Sequence, residues 1–254
     1  MAYRNPAFLV SNLVAVASAA AISTGTAFAS GLGKERLIDY RLGPLTQFSA
    51  AAANQYLEVD LGSAKAVNRL IIPVGHNLSG CSVELYGDTT ANPTALRDSF
   101  TATAAAIDRT FASATFRYWR LKFVTNGQWA IGEWVLGAYA QTTSGVVQGW
   151  EAPYQSSVVK RSYPSHETTL VEAAARRVIK MEHKAVPSAD LAIYDALLAV
   201  GVGVPFWHWP CDDSLSSPLL MLLQDDGQRT QDSPAPQGTG PTYTIGLEMI
   251  EQQA

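Results

Sequence analysis

Apolar and polar positions alternate most clearly between Phe116 and Gly137. Trp119, Leu121 and Phe123 take one phase and Arg120 and Lys122 the other, the period of a half-buried strand. Thr125-Asn126-Gly127 is a turn by composition, and Trp129-Ala130-Ile131-Gly132-Glu133-Trp134-Val135-Leu136-Gly137 follows as a second aromatic strand. The two predict an aromatic hairpin able to close a sandwich core, because each buried ring contributes a large apolar area. Upstream, Leu57, Val59 and Leu61 alternate with Glu58 and Asp60, so one face is buried and the other wet. Val67 to Val74 predicts a short strand that Pro73 marks as edge-like or bulged. Gly75 to Gly80 reads as a turn, and Ser82 to Gly87 as another alternating strand. Arg36-Leu37-Ile38-Asp39-Tyr40-Arg41 stands ahead of the first loop. Short strands at this spacing indicate an all-β sandwich.

The second half has a different rhythm. Residues 141–149, opening on Gln141-Thr142-Thr143-Ser144-Gly145, suit a linker, and Gly149 to Tyr154 opens a second unit. From Leu170 to Lys184 two periods compete. Leu170, Ala174, Val178 and Met181 make a helical stripe, Ile179 to Glu182 alternates as a strand, and propensity favours helix through Ala173 to Arg177. Pro187-Ser188-Ala189-Asp190 predicts a helix start, with Ser188 as N-cap and Asp190 in the first turn. Leu191, Tyr194, Leu197 and Leu198 form its apolar face, and Gly201 and Gly203 stop it. Val204 to Trp209 predicts a strand, 225–242 a polar loop, and Tyr243 to Glu251 a closing alternating strand.

The ordered set Asn12-Leu13, Leu37 to Arg41, Tyr56 to Gly62, Val83 to Gly87, Phe116 to Leu121 and Ile131 to Trp134 resembles a discoidin domain, the galactose-binding-like jelly roll of coagulation factor 5/8 type C, over about residues 5–140. That resemblance implies a sandwich whose end loops contact sugars or lipid heads. The second half resembles the tail-tip hub proteins of long-tailed bacteriophages over about 150–254. The signals are the helix, the glycine stop, the Phe206-Trp207-His208-Trp209-Pro210 strand and a last strand ending in Glu. In that family the segment before the helix is a strand, which assigns 175–184 as strand. The expectation is a mainly β protein: a jelly-roll sandwich (1–140), a linker (141–149) and a tail-tube-like β-barrel or sandwich with one helix (150–254). The second resemblance implies a homo-oligomeric ring, hexamer or trimer, contacting the tail tube and other tail-tip proteins in the virion.

Composition narrows the partners. At 254 residues with 47% hydrophobic and 16% charged content the chain is globular in character, and its net charge of -4 with no basic block gives no nucleic-acid footprint. Arg4, an Ala/Val-rich run to Ile22 and Ala27-Phe28-Ala29 imitate a signal peptide, but Asn5, Pro6, Ser11 and Asn12 interrupt the run. The expectation is an uncleaved N-terminus, and the interrupted run is too short for a membrane span. Cys81 and Cys211 make no disulfide framework and are expected free.

Few groups point to chemistry. His208-x-x-Cys211 offers two metal ligands with no second pair at ligand spacing, His166 and His183 being remote in sequence, so no metal is expected. Asp212-Asp213 and Asp225-Asp226 read as solvated turns. No nucleophile elbow, phosphate-cradling loop or His-Glu-x-x-His occurs, so no catalytic residues, cofactor or enzymatic activity are expected. His76 and Asn77, in a loop between strands, and Trp129, opening the second aromatic strand, are the candidate contacts to a host surface glycan; the alternative for Asn77 is a turn-fixing role. The leading expectation is thus a structural tail-hub subunit carrying a carbohydrate-binding module. A secreted carbohydrate-binding protein with a cleaved signal, and an accessory domain of a glycoside-processing enzyme, are the rivals.

Overall fold

A computed structural model describes residues 5–41, 45–143, 146–151, 154–155, 158–162, 168–172, 176–209, 218–224, 227–231 and 241–252. The chain divides into two units: Leu9–Tyr139, and Met1–Phe8 together with Ala140–Gln253. The opening strand β1 (Ala7–Leu9) belongs to the sheet of the second of these.

The Leu9–Tyr139 unit holds a short helix, α1 (Leu13–Ala17), and strands β2 (Ile22–Thr24), β3 (Thr46–Gln47), β4 (Gln55–Ile72), β5 (Ser82–Asp88), β6 (Leu96–Thr101), β7 (Ile107–Phe123), β8 (Ala130–Ile131) and β9 (Val135–Gly137). Asn12 fixes α1. Its Oδ1 accepts from the Val14 N–H at 3.1 Å and the Leu136 N–H at 3.3 Å, while its Nδ2 donates to the Trp134 carbonyl at 3.2 Å. The main sheet runs β2-β4-β7-β5-β6, with β9 beside β4. Its spine is a ribbon of two long antiparallel strands. Gln55–Asp60 of β4 pairs with Tyr118–Phe123 of β7, the register slips between Asp60 and Lys65, and Arg69–Ile72 pairs with Ile107–Thr110. Gly62, with φ of 73°, sits at the slip, where a bulge increases twist and bends the strand. The bend lets both halves of the ribbon line one core. Leu57, Val59, Trp119, Leu121 and Phe123 from one half meet Val67, Leu70 and Ile72 from the other, with Val83, Leu85, Trp134 and Leu136.

The alternation expected at 57–61 and 119–123 is present, with the apolar phase inward at Leu57, Val59, Trp119, Leu121 and Phe123. The aromatic hairpin is not. β7 already has a partner on each edge, β4 and β5, so 129–137 has no ladder left there. Its residues pair elsewhere: β8 with β3, and β9 with the second half of β4. The strand expected from Val67 to Val74 is the continuation of β4, which stops at Ile72 before Pro73. Arg36–Arg41 forms no strand; Lys34–Leu37 is a 3-10 turn that buries Leu37.

The second unit contains β10 (Tyr139–Gln141), β11 (Val146–Glu151), β12 (Tyr154–Gln155), β13 (Val158–Ser162), β14 (Thr168–Glu172), β15 (Arg176–Pro187), helix α2 (Leu191–Val200), β16 (Phe206–Trp209), β17 (Leu219–Leu223), β18 (Gln228–Gln231) and β19 (Thr242–Glu251). One sheet runs β10-β1-β16-β17-β19-β15-β11, with β12 on β15 and β18 on β19; β13 and β14 pair with each other. Residues 176–187 are strand, as the second resemblance implied, because β15 lies between β11 and β19 and buries Val178, Ile179, Met181 and Val186. α2 buries Leu191, Tyr194 and Leu197, and Gly201, at φ of 81°, ends it.

Four expectations differ here. Ser188 lies in a 3-10 turn, not at an N-cap, and Asp190 spends its carboxylate on the Thr143 N–H (2.8 Å) and Oγ1 (3.0 Å). The 141–149 stretch is partly strand, since β10 and β11 enter the sheet. The first residues also pair with the second unit, where the Pro6 carbonyl accepts from the Thr142 N–H at 3.0 Å. Within the expected 225–242 loop, β18 forms a hairpin ladder with β19.

Candidate functional site

The bend of the β4–β7 ribbon brings both its ends together, and the connecting segments form one hydrogen-bonded cluster. Segment 49–54 meets 124–130 through the Ala52 N–H to the Gly127 carbonyl (3.2 Å) and the Asn54 N–H to the Val124 carbonyl (3.3 Å). Segment 73–80 meets 102–106 through the Gly80 N–H to the Ala102 carbonyl at 2.8 Å. All three sequence candidates lie in this cluster.

Asn77 ties the two pairs of segments together. Its Nδ2 donates to the Gln128 carbonyl at 2.9 Å, its Oδ1 accepts from the Ala130 N–H at 2.7 Å, and its own N–H donates to the Ala130 carbonyl at 3.2 Å. The side chain is exposed, so its remaining N–H and lone pair face water. His76 is 8% exposed. Its Nδ1 accepts from the Leu78 N–H at 3.2 Å, which assigns the proton to Nε2, 3.0 Å from the Ala105 carbonyl. Burial lowers its pKa, only partly opposed by the Ala105 carbonyl, so the ring is neutral. Both nitrogens are committed to the loop.

Trp129 is half-buried. Its Nε1 donates to the Thr125 carbonyl at 3.0 Å, and its ring lies over Gly127, where an added Cβ would come within 2.4 Å of Cζ2. Glycine at 127 is therefore what lets the indole lie down on the turn. Beneath it runs a narrow apolar crevice lined by Phe28, Phe48, Leu57, Phe123, Ala130 and Ile131. Phe28 stacks on Phe48 at 5.8 Å and 16°, and Phe48 meets Phe123 edge-on at 5.8 Å. Phe48 is joined to the Trp129 segment by its own N–H to the Trp129 carbonyl at 3.1 Å, and its carbonyl accepts from Gln128 Nε2 at 2.9 Å. Sequence reasoning missed Phe28, because Ala27-Phe28-Ala29 is weighed there only for its likeness to a signal-peptidase site; nothing local distinguishes a ring that packs from one at a processing site.

The arrangement offers a half-buried indole and a half-buried phenyl ring beside side-chain amides and backbone groups. That suits stacking and hydrogen bonding. It holds no nucleophile–base pair.

Many charged side chains of this unit pair with one another away from these segments. Arg120 bonds Glu58 and Asn92 and lies 4.2 Å over the Tyr56 ring; Arg117 forks onto Asp60, Arg69 onto Asp108, and Arg109 onto Asp98. Hydrogen bonding from Arg117 is the main cause holding Asp60 below the usual carboxylate range. Glu84 is likewise lowered, chiefly by the Tyr86 hydroxyl and also by Lys122. Cys81 is free and buried, its thiol pushed up to about 11 by desolvation.

His208 is buried in the second unit, with Nδ1 3.2 Å from the Ala7 carbonyl and its ring stacked at 5.0 Å on Phe8. Burial pushes its pKa down to about 4. His183 pairs with the Tyr194 hydroxyl. Among the described residues no group of three His, Cys, Asp or Glu side chains is placed to hold a metal ion. Cys211, His166, Asp212-Asp213 and Asp225-Asp226 lie outside the described residues. No described helix is long and apolar enough to cross a membrane.

No protein-family model matches the sequence, and no curated protein matches it. Similar solved structures align with about half of the chain. Chitosan-binding module 1 from the chitosanase/glucanase of Paenibacillus sp. IK-5 has a TM-score of 0.44 and 18% identity, over 50% of this chain and 99% of that one. The lectin domain of lectinolysin complexed with Lewis B antigen gives 0.43 and 16%, over 50% and 96%. The CBM32-5 module of CpGH89 from Clostridium perfringens, in complex with GalNAc-β-1,3-galactose, gives 0.41 and 13%, over 48% and 99%.

Proposed function

We propose that the Leu9–Tyr139 unit is a non-catalytic carbohydrate-binding module whose ligand sits at the loop end, against Trp129 and Phe28. The observation that carries this reading is the Trp129 ring. It is half-buried and pinned flat on Gly127, beside the outward-facing Asn77 amide, a pre-organised apolar surface next to hydrogen-bonding groups. A sugar presents the same pairing, C–H faces flanked by hydroxyls. In this role Asn77 holds the 128–130 segment in place and offers its remaining amide proton, and His76 fixes the loop from beneath. The test is retention of the full chain on immobilised glycans. Binding lost in Trp129→Ala, with an unchanged melting curve, supports the proposal; retention equal to the wild type refutes this site.

A finer reading assigns the whole chain to a bacteriophage tail tip, with the second unit forming a homo-oligomeric ring that presents the modules around it. What favours it is the order of elements in that unit: strand β15, helix α2, the Gly201 stop, the Phe206–Trp209 strand β16 and the last strand β19. A ring would multiply weak single-site binding into avidity. Light scattering of the purified chain tests this: a discrete oligomer of three or six subunits supports it, and a monomer when mixed with neighbouring tail proteins as well as alone refutes it.

A further inference from the structure

The segments that meet at the loop end, 49–54, 73–80, 102–106 and 124–130, contain no Asp, Glu, Lys or Arg, where the chain average of 16% would place about four charged residues. What they do contain is alanine, glycine, serine, threonine, asparagine, one glutamine, one tryptophan, the neutral His76 and the apolar Pro73, Val74, Leu78 and Val124. Ten of the unit's charged side chains are taken up in the couples Glu58–Arg120, Asp60–Arg117, Arg69–Asp108, Asp98–Arg109 and Glu84–Lys122. The others, Lys34, Glu35, Arg36, Asp39, Arg41, Lys65, Asp88, Arg97 and Glu133, also lie outside these four segments. From this we infer that the ligand of the loop end is an uncharged saccharide, and that uronate, sialylated, sulfated and free-amine sugars are discriminated against. The inference rests on the carbohydrate reading above.

The physics is one of desolvation. A carboxylate, sulfate or ammonium brought against an indole ring loses water, and the loss is repaid only by an opposite charge or by several aligned hydrogen bonds. No ionised side chain is available in these segments. His76, the one titratable group among them, has Nδ1 occupied by the Leu78 N–H and Nε2 directed at the Ala105 carbonyl, and burial keeps the ring neutral. The rim adds to the apolar surface, since Val74 is 59% exposed at this end. A neutral sugar asks for nothing the site lacks. Its C–H face packs on Trp129 and its hydroxyls exchange water for amide and hydroxyl partners such as Asn77.

The experiment is a binding panel with the full chain, using neutral probes (galactose-, glucose-, mannose- and N-acetylglucosamine-terminated oligosaccharides), anionic probes (sialylated, sulfated and uronate oligosaccharides) and a cationic probe (chitosan oligomers). Each is measured at low and high ionic strength, with Trp129→Ala and Trp129→Phe as site variants. The expected result is binding confined to neutral probes and unchanged by salt. Trp129→Ala should lose about tenfold, whereas Trp129→Phe, which keeps a ring over the crevice, should stay within a few-fold. Binding of a charged probe that is lost in Trp129→Ala and weakened by salt overturns the inference while leaving the module's carbohydrate role standing. No binding to any probe at millimolar concentration, or binding that neither variant alters, overturns both.

Discussion

Replacing Glu133 with glutamine should flatten the pH dependence of stability. Glu133 is 0% exposed. One carboxyl oxygen accepts the Tyr40 N–H, and the other is buried without a hydrogen-bond partner among the described residues. Burial, opposed by the Tyr40 N–H and reinforced by the negative charge of Asp39, pushes its pKa from 4.5 up to about 9. The folded chain thus holds this proton more tightly than the unfolded one. Its contribution to stability is whole below pH 4.5 and is lost as pH rises toward 9. Each unit in that window removes up to about 1.4 kcal/mol, so moving from pH 4.5 to 7.5 costs about 4 kcal/mol, on the order of 10 °C in melting temperature for a unit of this size. Glutamine has nearly the same shape and no charge to desolvate. Thermal melts of wild type and Glu133→Gln from pH 4.5 to 8.5 should diverge, the variant gaining steadily on the wild type as pH rises. Any constant offset from the new amide cancels in the pH difference. Parallel curves, or a wild type that gains on the variant, would show the carboxylate ionised in the fold and refute the reasoning.

Two other substitutions test neighbouring parts of the account. Arg120→Ala strands the nearly buried Glu58 carboxylate and uncovers Tyr56, so it should cost about 2–4 kcal/mol in denaturant unfolding, with Arg120→Lys recovering only part because it lacks the planar fork. Gly127→Val places a side chain where the Trp129 ring lies, forcing the indole off the turn; glycan affinity should fall about tenfold, with a stability loss of about 1–3 kcal/mol by calorimetry.

Much of the first unit is legible because its signals are local. The alternation of Leu57 and Val59 with Glu58, and of Trp119, Leu121 and Phe123 with Arg120 and Lys122, reflects an apolar core face and an opposite face of ion-paired side chains, and pleating translates it directly. The pairing nonetheless leaves Glu58 buried where the pattern implies a wet position. The same holds for Leu191, Tyr194 and Leu197 on α2 and for the glycine stop at 201. Partner choice is different. That Trp129–Gly137 pairs with β3 and β4 and not with β7 depends on both edges of β7 being taken by distant strands, which no local pattern records. The bulge at Gly62, which joins two apparent strands into one ribbon and so assembles the loop end, is equally silent: an isolated glycine in a strand permits a bulge without requiring one. Sequence alone placed His76, Asn77 and Trp129 as candidates from loop position and residue type. It gave no sign that His76 would spend both nitrogens on backbone groups, that Phe28 would stack on Phe48 in the crevice that Trp129 also lines, or that a glutamate in Ile131-Gly132-Glu133-Trp134 would be fully buried.

The most direct test of the central claim is hydrogen–deuterium exchange of the full chain with and without the tightest-binding glycan. The account predicts slowed exchange in 73–80 and 124–130 and little change along the outward-facing Tyr56, Glu84, Tyr86 and Arg120. Protection centred on that outer face, with the loop end unaffected, would contradict it.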